Sequence, residues 1–287
     1  MNPNKEIDAL ISLLDDPDKE VYVEVFNNLI NKGTEIIPAL EKAWEMSPNQ
    51  FIQERLENII HKIHFESVKA EIIRWNRSNR QDIIEGAFWI AKYQFPEISF
   101  TEIINFIEKM VKEIWLEINK NLTAYEKINV INHIFFQNYK FKSIINLLNP
   151  HNYYINRVIE TKKGSPVALG IIYSGIAQRL NLPVYGVDLP NSFILAYLND
   201  DYSFLNKDKS QDILFYINPS NSGIVFSKSE ISAYLKTMKI DSSEDYFMPA
   251  SPQKIIKRLI EELIIIYEKN DNDKKINDLE TIFGLLD

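Results

Sequence analysis

Ser165 is followed by Pro166 and then by a long apolar run, and it is the best-placed nucleophile in the chain. The sequence holds no cysteine, so thiolate nucleophiles, disulfides and cysteine-ligated zinc or iron–sulfur sites are excluded. One of the four histidines would have to serve as base, and His151 is nearest in sequence. Such a pair could transfer an acyl group, as in a serine-based hydrolase or amidase. The same residues also have a purely conformational reading. Serine is a preferred N-cap, and proline suits the first helical position, where its missing N–H is one of the orphaned donors anyway. Capping accounts fully for Ser165, and a turn accounts for His151.

Other clusters carry weaker chemistry. His61 and His64 are three apart on a helical stretch, with Glu57 and Glu66 near enough to share an ion. They lack a defined third ligand and read as helix-surface residues, so no metal is expected. Asp15, Asp16 and Asp18 read as a turn, because the glycine and terminal glutamate of a calcium loop are missing. His133, beside Ile134, reads as the edge of a core. Tyr153, Tyr154, Phe215 and Tyr216 line a cleft or pack a sheet, and packing is favoured. No cofactor is expected.

The elements that must position these residues are mostly helices. Glycine is scarce, 8 of 287 residues, which disfavours phosphate-loop, dinucleotide and propeller folds. Ile7, Leu10, Ile11 and Leu14 lie on one helix face, as do Val21, Val25 and Leu29, closed by Gly33. Ile36, Leu40, Ala43 and Trp44 form a third stripe, and Ile52, Leu56, Ile59, Ile60 and Ile63 a fourth. These helix pairs loosely resemble a HEAT-type repeat. Helices continue to residue 140, with Thr123 and Glu126 spaced as a capping box. Asn149-Pro150-His151-Asn152 is a turn from which Asn152 caps a short helix to Thr161. The texture then changes. Val167, Leu169, Ile171, Ile172, Ile176 and Leu180 give the helix after Pro166 no polar face, as in a buried central helix. Strands are predicted at Leu182–Asp188, Ser192–Leu198 and Ile213–Ile217, with an exposed loop from Asn199 to Gln211. Ser227–Lys236 is helical. After Pro249-Ala250-Ser251-Pro252 a helical hairpin resembles a tetratricopeptide-type unit.

The stretch from Glu160 to Phe193 resembles the bacterial transglutaminase-like core family, of the SirB-like type associated with tetratricopeptide helices. The resemblance includes Tyr185-Gly186-Val187-Asp188-Leu189-Pro190-Asn191-Ser192-Phe193, Phe215-Tyr216-Ile217-Asn218-Pro219 and Asn149-Pro150-His151-Asn152, and covers about residues 66 to 286. It implies an α+β, predominantly helical fold: a transglutaminase/papain-like core with a small antiparallel sheet, flanked by helical-repeat-like segments at both ends. The implied divisions are 1–65 HEAT-like, 66–148 the helical part of the core, 149–248 the α+β core and 249–287 the terminal hairpin. The family's nucleophile position falls at Ser165 or Pro166, its histidine at Ser192 and its orienting residue at Asn218. A serine hydroxyl is no base near neutral pH, and proline offers no nucleophile. The resemblance thus implies the fold and argues against the chemistry. It also places His151, Asn152, Tyr173, Asn191 and Tyr216 as lining of the former cleft.

With 32 basic and 40 acidic side chains and net charge −8, the chain lacks the basic field that neutralises phosphates, and nucleic acid is not an expected partner. No run reaches the roughly 18 apolar residues of a membrane span. The start shows no basic and apolar leader pattern, so the expected address is the cytoplasm. The expected role is a non-catalytic binding module for a protein, peptide or small ligand. A serine-based acyl hydrolase in the same cleft is the alternative.

Overall fold

The computed structural model describes residues 3–144, 148–199 and 213–287. Cα packing divides the chain into two compact units, Met1–Ile73 and Arg74–Asp287.

The first unit contains α1 (Pro3–Ser12), α2 (Lys19–Asn31), α3 (Ile37–Met46) and most of α4 (Gln50–Asn76). Pro17 interrupts the helical run, and the Asp18 carboxylate restarts it by accepting the Glu20 N–H at 2.8 Å. Past the end of α2, Gly33 adopts φ +73°, a conformation that glycine reaches without a Cβ penalty. The stripes read from the sequence meet in one core of Leu14, Val25, Leu29, Leu40, Leu56 and Ile59. Arg55 holds the turn between α1 and α2 by donating to the Leu14 and Asp16 carbonyls at 2.7 and 3.0 Å, and its guanidinium lies over the Tyr22 ring. The expected division after residue 65 falls inside α4, which runs unbroken for 27 residues; the units part at Ile73 instead.

The second unit starts with α5 (Ile83–Gln94), α6 (Phe100–Glu117) and α7 (Ala124–Asn132), continued by a π-helical turn over His133–Asn138. Thr123 and Glu126 form the expected capping box at the start of α7. Next come β1 (Lys142–Ser143), α8 (Ile155–Thr161), β2 (Lys163–Gly164) and the central α9 (Pro166–Arg179). The sheet follows as β3 (Val184–Leu189), β4 (Ser192–Leu198), β5 (Ile213–Asn218) and β6 (Ile224–Phe226), antiparallel and in sequential order. α10 (Lys228–Thr237), α11 (Pro252–Lys269) and α12 (Asp273–Gly284) complete the unit.

Every residue from Val167 to Ala177 of α9 is buried, as its lack of a polar face requires. One face of the sheet packs on α9 through Phe193 and Leu195. The other carries Val187, Leu189, Ile194 and Ala196 against Ile231 and Leu235 of α10. This is the expected predominantly helical α+β architecture with a small antiparallel sheet. Among the described residues no helix is long and apolar enough to cross a membrane.

Four local expectations need correction. Asn152 does not cap α8, whose N-cap is Tyr154 without a side-chain bond; Asn149 caps the preceding turn by accepting the His151 N–H at 3.0 Å. The first sheet strand begins at Val184, not Leu182, because the Leu182 N–H is committed to the Ala177 carbonyl at 2.9 Å and Pro183 has no N–H. β6 and the parallel β1–β2 pair were not foreseen, being two or three residues long and too short for a periodic pattern. His133 is exposed and bonds Gln137, so it is not a core-edge residue. Apart from Asn199, the loop expected at Asn199–Gln211 lies outside the described residues.

Candidate functional site

Ser165 is fully buried. Its N–H donates to the Asn152 carbonyl at 2.8 Å, and its Oγ accepts the Ala168 N–H at 3.3 Å. The N–H thus fastens the start of α9 to the turn before α8, while the hydroxyl caps α9 itself. His151 is exposed, with its ring edge against Phe95 at 5.7 Å between centroids. Among the described residues no hydrogen bond joins it to Ser165. The serine that sequence offers as a nucleophile is a cap.

Pro166, the first residue of α9, lines a cavity of about 290 Å³ together with Asn191, Ser192 and Phe193 at the β3–β4 end. Arg258, Glu262, Ile265, Ile266 and Lys269, one face of α11, close the opposite side. A second cavity of about 260 Å³ lies between the sheet and α10, lined by Ser192, Asn218, Leu189, Ile194, Phe226 and Ile231 among others. Ser192 lines both. The three positions carried by the resemblance are therefore brought together in pairs: Pro166 with Ser192, and Ser192 with Asn218. Ser165 lines neither hollow.

Strand geometry explains this division. Successive side chains on β4 alternate, so Ser192 and Ile194 share one face while Phe193 takes the face toward α9. A Cβ built on Gly170 would lie 2.3 Å from Phe193 Cε1, and one on Gly186 would lie 2.7 Å from Phe193 Cζ. A phenyl ring thus fills the space between α9 and β3. The β3–β4 turn places Asn191 at φ +57°, as the third position of a Pro-Asn turn requires, and this swings its side chain to the first cavity.

Asn218 serves its own backbone, its Oδ1 accepting the Ser220 N–H at 2.9 Å. The turn after it is fixed by a bridge that sequence reasoning missed. The Tyr173 hydroxyl donates to Asn132 Oδ1 at 2.8 Å, and Asn132 Nδ2 donates to the Gly223 carbonyl at 2.9 Å. Gly223 has φ +73°, and a Cβ there would come within 1.9 Å of Asn132 Oδ1. Burial pushes the Tyr173 phenol well above its ordinary pKa. The one signal in the sequence was a tyrosine inside an otherwise apolar helix, since a buried hydroxyl needs a partner. Tyr173 and Tyr216, expected at the cleft wall, are both core residues; Tyr216 donates to the Phe247 carbonyl at 3.0 Å. Of the five expected lining residues, Asn191 lines the first cavity, while His151 and Asn152 line neither of these two hollows.

The charges around the first cavity are unevenly committed. Glu262 accepts from Arg258 Nε at 2.8 Å and from the Tyr153 hydroxyl. Arg258 also lies 3.5 Å from Asp188. Burial pushes the Tyr153 phenol up, and Glu262 pushes it further. Lys269 has no partner among the described residues.

The His61 cluster is likewise spoken for. Its ring stacks on Phe65, Glu57 accepts the Trp44 indole N–H at 2.9 Å, and Glu66 pairs with Lys62 and Lys69 at 2.7 and 3.0 Å. Among the described residues no group of three or more His, Cys, Asp or Glu side chains is arranged to hold a metal ion.

The profile of the Transglutaminase-like superfamily matches residues 101–261, a span that includes α9, the sheet and most of α11. The chain belongs to the transglutaminase-like superfamily. A UPF0162 protein of Xylella fastidiosa is 21% identical over 66% of this chain and 66% of its own length. A UPF0162 protein of Pasteurella multocida is 33% identical over 31% of this chain and 35% of its own. Mouse F-box only protein 21 is 24% identical over 41% of this chain and 22% of its own. The chain spans less than two thirds of the length of each of these relatives. No solved structure matches it. At the positions that the resemblance carries, the chain has a proline at the helix start and a serine on the strand.

Proposed function

We propose that this chain is a pseudoenzyme, a transglutaminase-like fold that works by binding a protein segment or small ligand rather than by acyl transfer. The observation that carries this reading is the pair Pro166 and Ser192 at one cavity, with Ser165 turned into a cap. Acyl transfer needs a nucleophile, a base within about 3 Å of it and donors for the oxyanion. Proline supplies no nucleophile, and the Ser192 hydroxyl supplies no base. Both cavities keep an apolar lining with a few polar groups, the usual makeup of a ligand site. The N-terminal helices, read as HEAT-like, and the α11–α12 hairpin, read as tetratricopeptide-like, are further surfaces for a protein partner. A regulatory role and a cytoplasmic address belong to the same proposal.

The test is chemical. The purified chain is exposed to a fluorophosphonate probe and to p-nitrophenyl acetate. Labelling and turnover at the level of the heat-denatured protein are expected. Activity that disappears in Ser165→Ala or Ser192→Ala would refute the proposal and establish the hydrolase reading.

A further inference from the structure

The two cavities meet at Ser192 and differ in character. The one beside α10 is walled by Leu189, Ile194, Phe226 and Ile231, so its free energy of occupation comes from apolar burial. The one beside α11 carries Arg258, Glu262 and Lys269. Their carboxylates are already used. Glu262 is bonded by Arg258 and Tyr153, and Glu230, at the apolar hollow, accepts from the N–H and hydroxyl of Ser227 as half of a capping box. The cations are not used up. Arg258 spends Nε on Glu262 and sits 3.5 Å from Asp188 through a second nitrogen, and its third nitrogen has no bond among the described residues. Lys269 has no partner among the described residues. The hollow beside α11 is lined by two cations, Arg258 and Lys269, against one carboxylate, Glu262, although the chain as a whole is acidic.

Along the two hollows stand polar groups without side-chain partners among the described residues: the Nδ2 of Asn218 at the apolar one, the Asn191 amide at the other and the Ser192 hydroxyl at both. An apolar hollow, a row of hydrogen-bonding groups and a cationic hollow, in that order, match a chain with an apolar side chain, a polar backbone and an acidic side chain. We propose that the groove through Ser192 binds an extended peptide segment carrying an aliphatic residue followed by an acidic one. This rests on the binding reading above and specifies the occupant of the same site. The aliphatic side chain enters the hollow beside α10, the backbone pairs with Asn191, Ser192 and Asn218, and the carboxylate reaches Lys269 and Arg258.

The full chain is titrated with three fluorescein-labelled, amide-capped hexapeptides that share one leucine and place Glu, Gln or Lys two residues after it, with sodium octanoate as a fourth ligand. The Glu peptide is expected to bind about three- to fivefold more tightly than the Gln peptide, as for a partly exposed ion pair. The Lys peptide should bind most weakly. The preference should shrink as salt rises from about 0.02 to about 0.5 M. Lys269→Gln, at an exposed position, should bring the affinities of the Glu and Gln peptides together. Binding without charge preference, or with a preference for the Lys peptide, overturns this inference and leaves the cleft as a binding site. Octanoate binding that depends on Lys269, without binding of any peptide, overturns it in favour of a free amphiphilic acid. No binding by any of the four overturns both.

Discussion

Gly170→Ala tests the packing that separates Ser192 from α9. Two effects oppose each other. Alanine is favoured over glycine inside a helix by about 1 kcal/mol. Against this, the new methyl would sit 2.3 Å from Phe193 Cε1 and 2.7 Å from Cδ1, where carbon–carbon contact is comfortable only from about 3.5 Å. The ring would have to withdraw by more than ~1 Å, and it has nowhere to go. On its far side Gly186 leaves no more room, since a Cβ there would be 2.7 Å from Phe193 Cζ, and the ring is 1% exposed. Overpacking of this kind costs about 1–3 kcal/mol, and confinement from both sides argues for the upper end. The net expectation is a destabilisation of about 2 kcal/mol. In thermal melts followed by circular dichroism this is a Tm lower by about 4–8 °C. Gly284→Ala, with nothing within 4 Å of the new methyl, is the control and should be neutral or stabilising by less than ~1 kcal/mol. Phe193→Leu in the Gly170→Ala background should cost less than Phe193→Leu alone, because the shorter side chain vacates the clash. A Gly170→Ala protein as stable as the wild type would mean that Phe193 does not occupy the slot, and the account of where Ser192 points would fall with it.

Ser165→Ala removes a cap and should lower stability by about 1 kcal/mol in a urea titration; an unchanged midpoint would show that the cap contributes nothing. Tyr173→Phe leaves Asn132 Oδ1 without its donor and should cost about 1–3 kcal/mol, with faster amide exchange around Gly223 as the local readout. The alkaline limb of stability should rise before it falls. Burial pushes Lys275 down to about 8 from its ordinary 10.5, against the pull of Asp278. Between pH 8 and 10.5 the unfolded chain therefore binds more protons on this group, so its penalty on folding, full below pH 8, fades as pH rises. The buried phenols of Tyr154 and Tyr173, raised well above 10, act oppositely above pH 10, and Lys275→Met should flatten the rise in chemical-denaturation series across pH 7–10. On the acid side the Thr123–Glu126 and Ser227–Glu230 caps hold both carboxyls below the usual range through hydrogen bonds from the capping residues. Their stabilisation is present above the ordinary value of 4.5 and is lost as pH falls through the lowered values. Glu126→Gln combined with Glu230→Gln should reduce the acid sensitivity seen by the same method.

Much of the architecture was legible because it rests on local rules. Pro17, Gly33, Thr123 with Glu126, and Ser165 with Pro166 act on backbone groups within four residues of themselves, so spacing alone is enough to read them. The apolar stripes of α2 and α4, and the lack of a polar face on α9, could be read for the same reason: a helix repeats its faces every turn whatever it packs against. The absence of a thiol, and serine at position 192, were likewise fixed by the sequence and already weighed against acyl transfer.

The site itself needed the tertiary structure. Tyr173 and Tyr216 were expected at the wall of a cleft, and only packing shows them buried, with partners 41 and 31 positions away respectively. Asn132 gives no hint in sequence that it will bridge Tyr173 to Gly223. The face of α11 carrying Arg258, Glu262 and Lys269 reads as an ordinary amphipathic helix, and its place opposite Pro166 follows from the path of the whole second unit. Sequence thus determined which groups exist and how each element begins and ends, because those depend on neighbours along the chain. Which groups meet across a cavity, and whether a charge there is already spent, was decided by the tertiary structure, because contact and burial depend on distances that chain spacing does not set.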